Sequence, residues 1–213
     1  MKEGRGTGLG ADYKPWLKIS DVPSLGRSHR LRGIKTGRVH HFLSDIEVSL
    51  FYLLDWHDAV TDIREQFPLD REETQAIAER AGIKYPVDSH TRVPLVQTTD
   101  FLVDYVVAGE HRRMAYAVKP VEALSEKRKA ELLELERLYW LARGVPWGIV
   151  TNHDILKTLT CLVPECDGAS LTRQGEDALW QDYFTAAPVR RRVFEPNSKR
   201  RKKAPGPLPS NTA

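Results

Sequence analysis

TTDFLVDYVVAGEHRRMAYAVK, residues 98–119, is the stretch from which the fold can be read outward. Thr98 to Val107 is β-branched and aromatic, a strand composition. Gly109 and Glu110 supply a turn, and Arg112 to Lys119 returns as a second strand that Pro120 stops. With Gly109 and Glu110 as the two turn residues, Ala108 faces His111 and Asp100 lies directly across from Lys119. Opposed residues project on one face, their Cβ atoms about 4.5–5.5 Å apart. In that register Asp104, the competing carboxylate, faces Ala115 and lies farther from the lysine.

Upstream, Ser44 to Trp56 reads as a helix. Ser44 caps it and Glu47 stands three residues on, the capping-box spacing. Glu47 also shares a stripe with Leu50, Phe51 and Leu54, so it faces the core. A carboxylate beside a buried stripe is costly unless compensated, and capping or a metal ion would each do so. Val60 to Phe67 forms a strand ended by Pro68, and Asp70 to Ala81 an exposed helix stopped by Gly82. Ser125 to Arg143 is the clearest helix. Leu132, Leu135 and Tyr139 recur at helical spacing, Lys127 pairs with Glu131, and Gly144 ends it. Pro146 introduces a strand, Trp147 to Thr151, and Asn152 caps a short helix through Leu159. These elements predict an α/β fold with a mixed sheet flanked by helices. Farther on, where the signal weakens, Glu176 to Thr185 is expected as one amphipathic helix with Leu179, Trp180, Tyr183 and Phe184.

Composition bounds the function. The chain has 213 residues, 41% of them hydrophobic and 29% charged, as in globular proteins. No stretch approaches the roughly 20 apolar residues of a membrane span, and residues 1–5 open no secretory signal. Two cysteines, Cys161 and Cys166, exclude a disulfide scaffold and suit a reducing cytosol. Charge is segregated. Residues 1–43 carry nine Lys or Arg against three Asp or Glu, and residues 188–213 carry eight against one. An acidic body thus stands between basic ends, and basic ends attract a polyanion. The bland reading of such ends is simple solvation. The expected organisation is a basic arm (1–43), a folded domain (44–155), a short helical region (156–187) and a disordered basic tail (188–213). Tail residues Arg190, Arg191, Arg192, Lys199, Arg200, Arg201, Lys202 and Lys203 are the expected DNA contacts.

Taken singly, Glu47 is explained by its capping box, and Asp100 with Lys119 by a cross-strand ion pair. Their combination in this element order is the PD-(D/E)xK nuclease arrangement. Its chemistry explains the residue types: carboxylates hold one or two hard cations, and the Val118 carbonyl adds an oxygen. The cations activate water and stabilise the scissile phosphate, while the lysine positions the water or offsets phosphate charge.

Six runs make the resemblance specific: Lys2-Glu3-Gly4-Arg5-Gly6, Gly37-Arg38-Val39-His40-His41, Ser44-Asp45-Ile46-Glu47, Asp62 through Pro68, Thr99 through Val103, and Val118-Lys119-Pro120. Leu135-Glu136-Arg137, Tyr139-Trp140 and Pro146-Trp147 continue them. Together they resemble the TnsA family, endonuclease subunits of heteromeric transposases. The resemblance implies a restriction-endonuclease-like core and magnesium-dependent cleavage at the 5′ ends of the transposon strands, with two Mg2+ ions expected and Mn2+ able to substitute. It implies catalytic roles for Glu47, Asp100 and Lys119, and double-stranded DNA, a TnsB-type DDE transposase and a TnsC-type AAA+ ATPase as partners, acting in the bacterial cytoplasm at the nucleoid. Two departures stand out. Ala117 occupies a position where the family often carries Gln or Glu, and the residues after 155 read as too short for the family's winged helix. The rival readings are a non-cleaving assembly module that binds DNA ends, and a restriction- or resolvase-type nuclease on the same scaffold.

Overall fold

The structure is a computed structural model that describes residues 4–21 and 27–155. Helix α1 (Asp45–Trp56) begins where expected. Ser44 is extended, and its Oγ accepts the Glu47 N–H at 3.2 Å. Leu50, Phe51 and Leu54 bury one stripe of it. Helix α2 (Arg71–Ala81) is capped by Asp70, whose Oδ1 accepts the Glu73 N–H at 2.9 Å, and is stopped by Gly82 in the left-handed region at φ 66°. Helix α3 (Lys127–Ala142) follows a 3-10 turn at Val121–Ser125.

The main sheet is mixed and four-stranded, its strands lying side by side in chain order. Strands β3 (Val60–Pro68), β4 (Thr98–Val107) and β5 (Glu110–Val118) pair antiparallel, and β6 (Trp147–Val150) runs parallel to β5. A parallel neighbour needs a crossover connection, which α3 provides. One face of β4 and β5 presents Leu102, Ala115 and Ala117 to a core shared with Ile77, Leu133, Tyr139 and Trp140 of α2 and α3. The other face presents Phe101 to Phe42, which packs in turn on Phe51 of α1. Past β6 the chain turns helical at 152–155. Thr151 caps this turn in place of the expected Asn152, with Thr151 and Asp154 exchanging hydrogen bonds. Asn152 instead accepts the Val121 N–H at 3.1 Å.

The hairpin register differs from expectation by two residues. Pairs run from Val107↔Glu110 to Phe101↔Tyr116, so the turn is Ala108-Gly109. Both residues take positive φ, 53° and 81°, the requirement of a two-residue type I′ turn. Asp104 therefore faces Arg113, not Ala115, and ion-pairs with Arg113 and Arg64 at 2.5 Å each. Because side chains alternate with period two, an offset of two leaves every residue on its expected face.

The described residues of the N-terminal stretch pack onto the body, where the sequence predicts an extended arm. Tyr13 is buried and donates to the Glu65 carbonyl at 3.0 Å, and Trp16 N–H reaches Gln66 O at 3.2 Å. Residues His29–Arg32 (β1) and Val39–Phe42 (β2) form a separate two-stranded ribbon. The ribbon is tied to β3 by a buried cluster. Glu65 takes two hydrogen bonds from Arg38 (2.8 and 2.5 Å), shares one with His40 Nδ1 (2.8 Å) and accepts His41 N–H (3.1 Å). Burial raises the Glu65 pKa, but the Arg38 and His40 contacts outweigh it and hold the carboxyl at about 2.

Candidate active site

The site forms where β4 and β5 part. Regular pairing ends at Phe101↔Tyr116. Extending the ladder, the next hydrogen-bonded rung would send the Val118 N–H to Thr99. Instead the Asp100 side chain takes it, with Oδ2 accepting Val118 N–H at 2.6 Å and Lys119 Nζ at 2.6 Å. Asp100 lies across from Ala117 and diagonally from Lys119, a separation a long side chain spans. The contact anticipated from the sequence is thus made, by a diagonal rather than a direct pair. An extended residue turns its N–H and C=O to the same side. The Val118 carbonyl therefore faces the Asp100 side of β5.

Glu47 enters from the first turn of α1. Its Oε1 accepts Ser44 Oγ at 2.9 Å and its Oε2 accepts the Leu43 N–H at 3.1 Å, a variant of the capping box in which the carboxylate reaches the residue before the cap. Glu47 is 5% exposed. Burial, reinforced by the Asp100 charge, pushes its carboxyl up to about 7 against the Leu43, Ser44 and Lys119 contacts. Glu47 and Asp100 therefore feel one another electrostatically, and Lys119 offsets both.

The sequence reading misses a further carboxylate at this site. Glu136 of α3 lines a cavity of about 220 Å³ together with Asp100, Lys119, Lys129, Gln97 and Leu132. Its Oε1 accepts from the Thr99 hydroxyl and from Trp147 Nε1, the latter at 2.9 Å. Burial, then the charge of Asp100, pushes Glu136 up to about 7. A signal for it exists, since Leu133, Glu136 and Trp140 recur at helical spacing and all three are buried. Lys119 sits amid these acids. Burial pulls its pKa down, but Asp100 by charge and hydrogen bond, then Glu136 and Glu47, outweigh burial and raise it above the usual lysine value. Lys119 is therefore held as an ammonium, a hydrogen-bond donor and a positive charge beside Asp100.

Such an oxygen set fits a hard cation. Glu47, Asp100 and the Val118 carbonyl supply anionic and carbonyl oxygens, the donors such ions prefer. Among the described residues no three His, Cys, Asp or Glu side chains converge into a cage. A sparse set suits an ion that keeps several waters. The expected DNA contacts Arg190–Arg192 and Lys199–Lys203 lie outside the described residues, as does the helix expected at Glu176–Thr185. No helix among the described residues is long and apolar enough to cross a membrane.

Comparison with known proteins gives this geometry a context. The family described as TnsA-like endonuclease N terminal matches residues 57–152. The transposon Tn7 transposition protein TnsA of Escherichia coli is 52% identical over 155 residues, covering 73% of this chain. The aligned part spans 56% of that protein's length. Identity of that order over most of the chain, with an endonuclease-type domain at its centre, makes this chain a member of the TnsA family.

Proposed function

We propose that the chain is a magnesium-dependent DNA endonuclease of a transposition machinery, hydrolysing the phosphodiester at the 5′ ends of the transposon strands on a restriction-endonuclease-like core. The observation that carries this reading is the convergence of Val118 N–H and Lys119 Nζ on Asp100 Oδ2 at the parted end of β4 and β5, within electrostatic reach of Glu47. Glu47, Asp100 and the Val118 carbonyl would hold one or two Mg2+ ions, with Mn2+ able to serve in their place. Bound there, the cation supplies Lewis acidity, lowering the pKa of a water and offsetting charge on the phosphate. Lys119, held as an ammonium, orients the attacking water or neutralises a non-bridging phosphate oxygen. Asp100 aims that ammonium, and Ser44 with the Leu43 N–H aims Glu47, so the groups are positioned before DNA arrives. Ala117 adds no ligand where relatives often carry one, and Glu136 supplies a buried carboxylate on the same side of the sheet.

In this reading double-stranded transposon ends are the substrate, a TnsB-type transposase cuts the 3′ ends, and a TnsC-type ATPase couples both to target selection. The basic tail, Arg190–Arg192 and Lys199–Lys203, adds DNA affinity by neutralising phosphates.

The test is strand-specific cleavage of a plasmid carrying native transposon ends, by the chain with its TnsB- and TnsC-type partners and magnesium. Wild type should cut the 5′ ends, and Asp100→Ala should leave only 3′ nicks, with a 5′-cleavage rate at least about 1000-fold lower, roughly 4 kcal/mol of barrier. Equal products from both, with assembly abolished when the chain is omitted, would make it a structural module and sink the site assignment.

A further inference from the structure

The β1–β2 ribbon has two unlike faces. Its register is His29↔Phe42, Arg30↔His41, Leu31↔His40 and Arg32↔Val39, and opposed residues share a face. His40 and Phe42 turn inward and are fully buried. Arg30 and Arg32 turn outward and are exposed, beside Val39 and the half-buried His41. Two residues of strand separate the arginines by about 6.6 Å. Lys18, half-buried, lies within electrostatic reach of His41 on this face. Burial, and then the positive charges of Arg30, Lys18 and Arg38, together depress the His41 pKa despite Glu65.

These cations differ in their pairing from others in the molecule. Among the described residues, no carboxylate pairs with the side chains of Lys18, Arg30 or Arg32. Three of the four α3 cations contrast with them: Arg128, Lys129 and Arg137 each pair with a glutamate one turn away. A surface that leaves charges unpaired on a rigid element is suited to an external polyanion.

The ribbon is also indexed to the cutting site. At one end, His29 Nε2 bonds Asp45 Oδ1 at 2.6 Å at the start of α1. At the tip, Asp55 near the end of α1 accepts the Ile34 and Lys35 N–H groups at 2.8 and 3.1 Å. The ribbon thus runs along α1 for about 15 Å. Its inner end continues through Leu43 into the turn that holds Glu47. We propose that the outward face of this ribbon, Arg30 and Arg32 with Lys18, tracks the phosphate backbone of the duplex beside the scissile bond and sets its register on the site. Contacts of this kind position DNA without reading its sequence. The inference rests on the nuclease reading for what is being cut, but it is measured by binding alone.

The experiment is anisotropy titration of a fluorescent duplex with the full chain in EDTA, between 50 and 200 mM salt. The triple variant Lys18→Ala, Arg30→Ala, Arg32→Ala should lower the slope of log K against log salt by about 2 to 3, near 0.9 for each phosphate no longer neutralised. A charge-matched control in and just after α2, Arg71→Ala, Arg80→Ala, Lys84→Ala, should leave the slope in place. An unchanged slope in the ribbon variant, an equal fall in the control, or no salt-dependent binding by wild type would each overturn the proposal. A ribbon variant that binds like wild type while Asp100→Ala still abolishes 5′ cleavage would remove the ribbon and leave the nuclease standing.

Discussion

Two clusters of buried charge in this molecule are built from similar parts and end in opposite electrostatic states. Around Glu65, one fully buried carboxylate meets an arginine fork, an imidazole and a backbone N–H, and its pKa falls to about 2. Around Asp100, three buried carboxylates share the single ammonium of Lys119, and two of them, Glu47 and Glu136, rise to about 7. The first cluster is saturated by the protein's own donors and ties β2 to β3. The second is short of positive charge. Buried charge that the fold compensates is architecture, and buried charge it leaves under-compensated is the feature on which the cation of the proposed function rests.

Breaking the saturated cluster should have the largest effect on stability. Arg38→Met keeps much of the side-chain volume but strands Glu65 at 0% exposure. Removing one partner of a buried pair typically costs about 3–5 kcal/mol. The measurement is urea unfolding at neutral pH, and the double variant Arg38→Met, Glu65→Gln should recover part of the loss. A loss below about 1 kcal/mol would mean that the cluster contributes little to holding the ribbon.

The contrast predicts opposite behaviour at the other cluster. Glu136→Gln preserves an acceptor for Thr99 and Trp147 while removing a charge that burial opposes. The sign follows from linkage. A carboxyl raised from its ordinary value of 4.5 to about 7 binds more protons folded than unfolded, so its ionisation weakens the fold as pH rises between those values. Metal-free wild type should therefore lose stability from about pH 4.5 to 7, up to about 3 kcal/mol from Glu136. The variant should match wild type near pH 4.5 and exceed it by about 1–3 kcal/mol near pH 8, in urea melts with EDTA. Parallel pH profiles for the two proteins would contradict the origin assigned to the shift.

How far these clusters can be read in the sequence depends on the range of the interactions that make them. Ser44, Glu47 and the α1 stripe are legible because a capping box and a helical period are local. The β4–β5 hairpin is legible as an element, but its register is not. A left-handed alanine at Ala108 is uncommon outside Gly, Asn and Asp, which makes Gly109-Glu110 look the better turn. The offset spans two residues, so Asp100 and Lys119 stay on one face and still meet. Glu136 escapes because α3 reads through Leu132, Leu135 and Tyr139, whereas contact with Thr99 and Trp147 is decided across the sheet. The ribbon escapes for a similar reason. Its first strand, His-Arg-Leu-Arg, alternates over only four residues, too few to stand out, and the carboxylate that holds His40 lies 25 residues away at Glu65.

The smallest expected effect sits where a local device serves the under-compensated cluster. Ser44 Oγ does two things: it accepts the Glu47 N–H as a helix cap and donates to Glu47 Oε1. Ser44→Ala removes both. As a cap alone it should cost about 1 kcal/mol, measured by thermal or urea unfolding. Its second role predicts something a cap alone would not. The Ser44 hydrogen bond lowers the Glu47 pKa, so its loss should move that carboxyl further up. Metal binding requires the ionised form. The variant should then need more magnesium for half-maximal 5′ cleavage, and the excess should shrink as pH rises above about 7. Ser44→Gly separates the two roles, because glycine caps nearly as well as serine but donates nothing to Glu47. A glycine variant with wild-type stability and a raised magnesium requirement at neutral pH would place Ser44 in the positioning of Glu47. Wild-type magnesium dependence in both variants would reduce Ser44 to a cap.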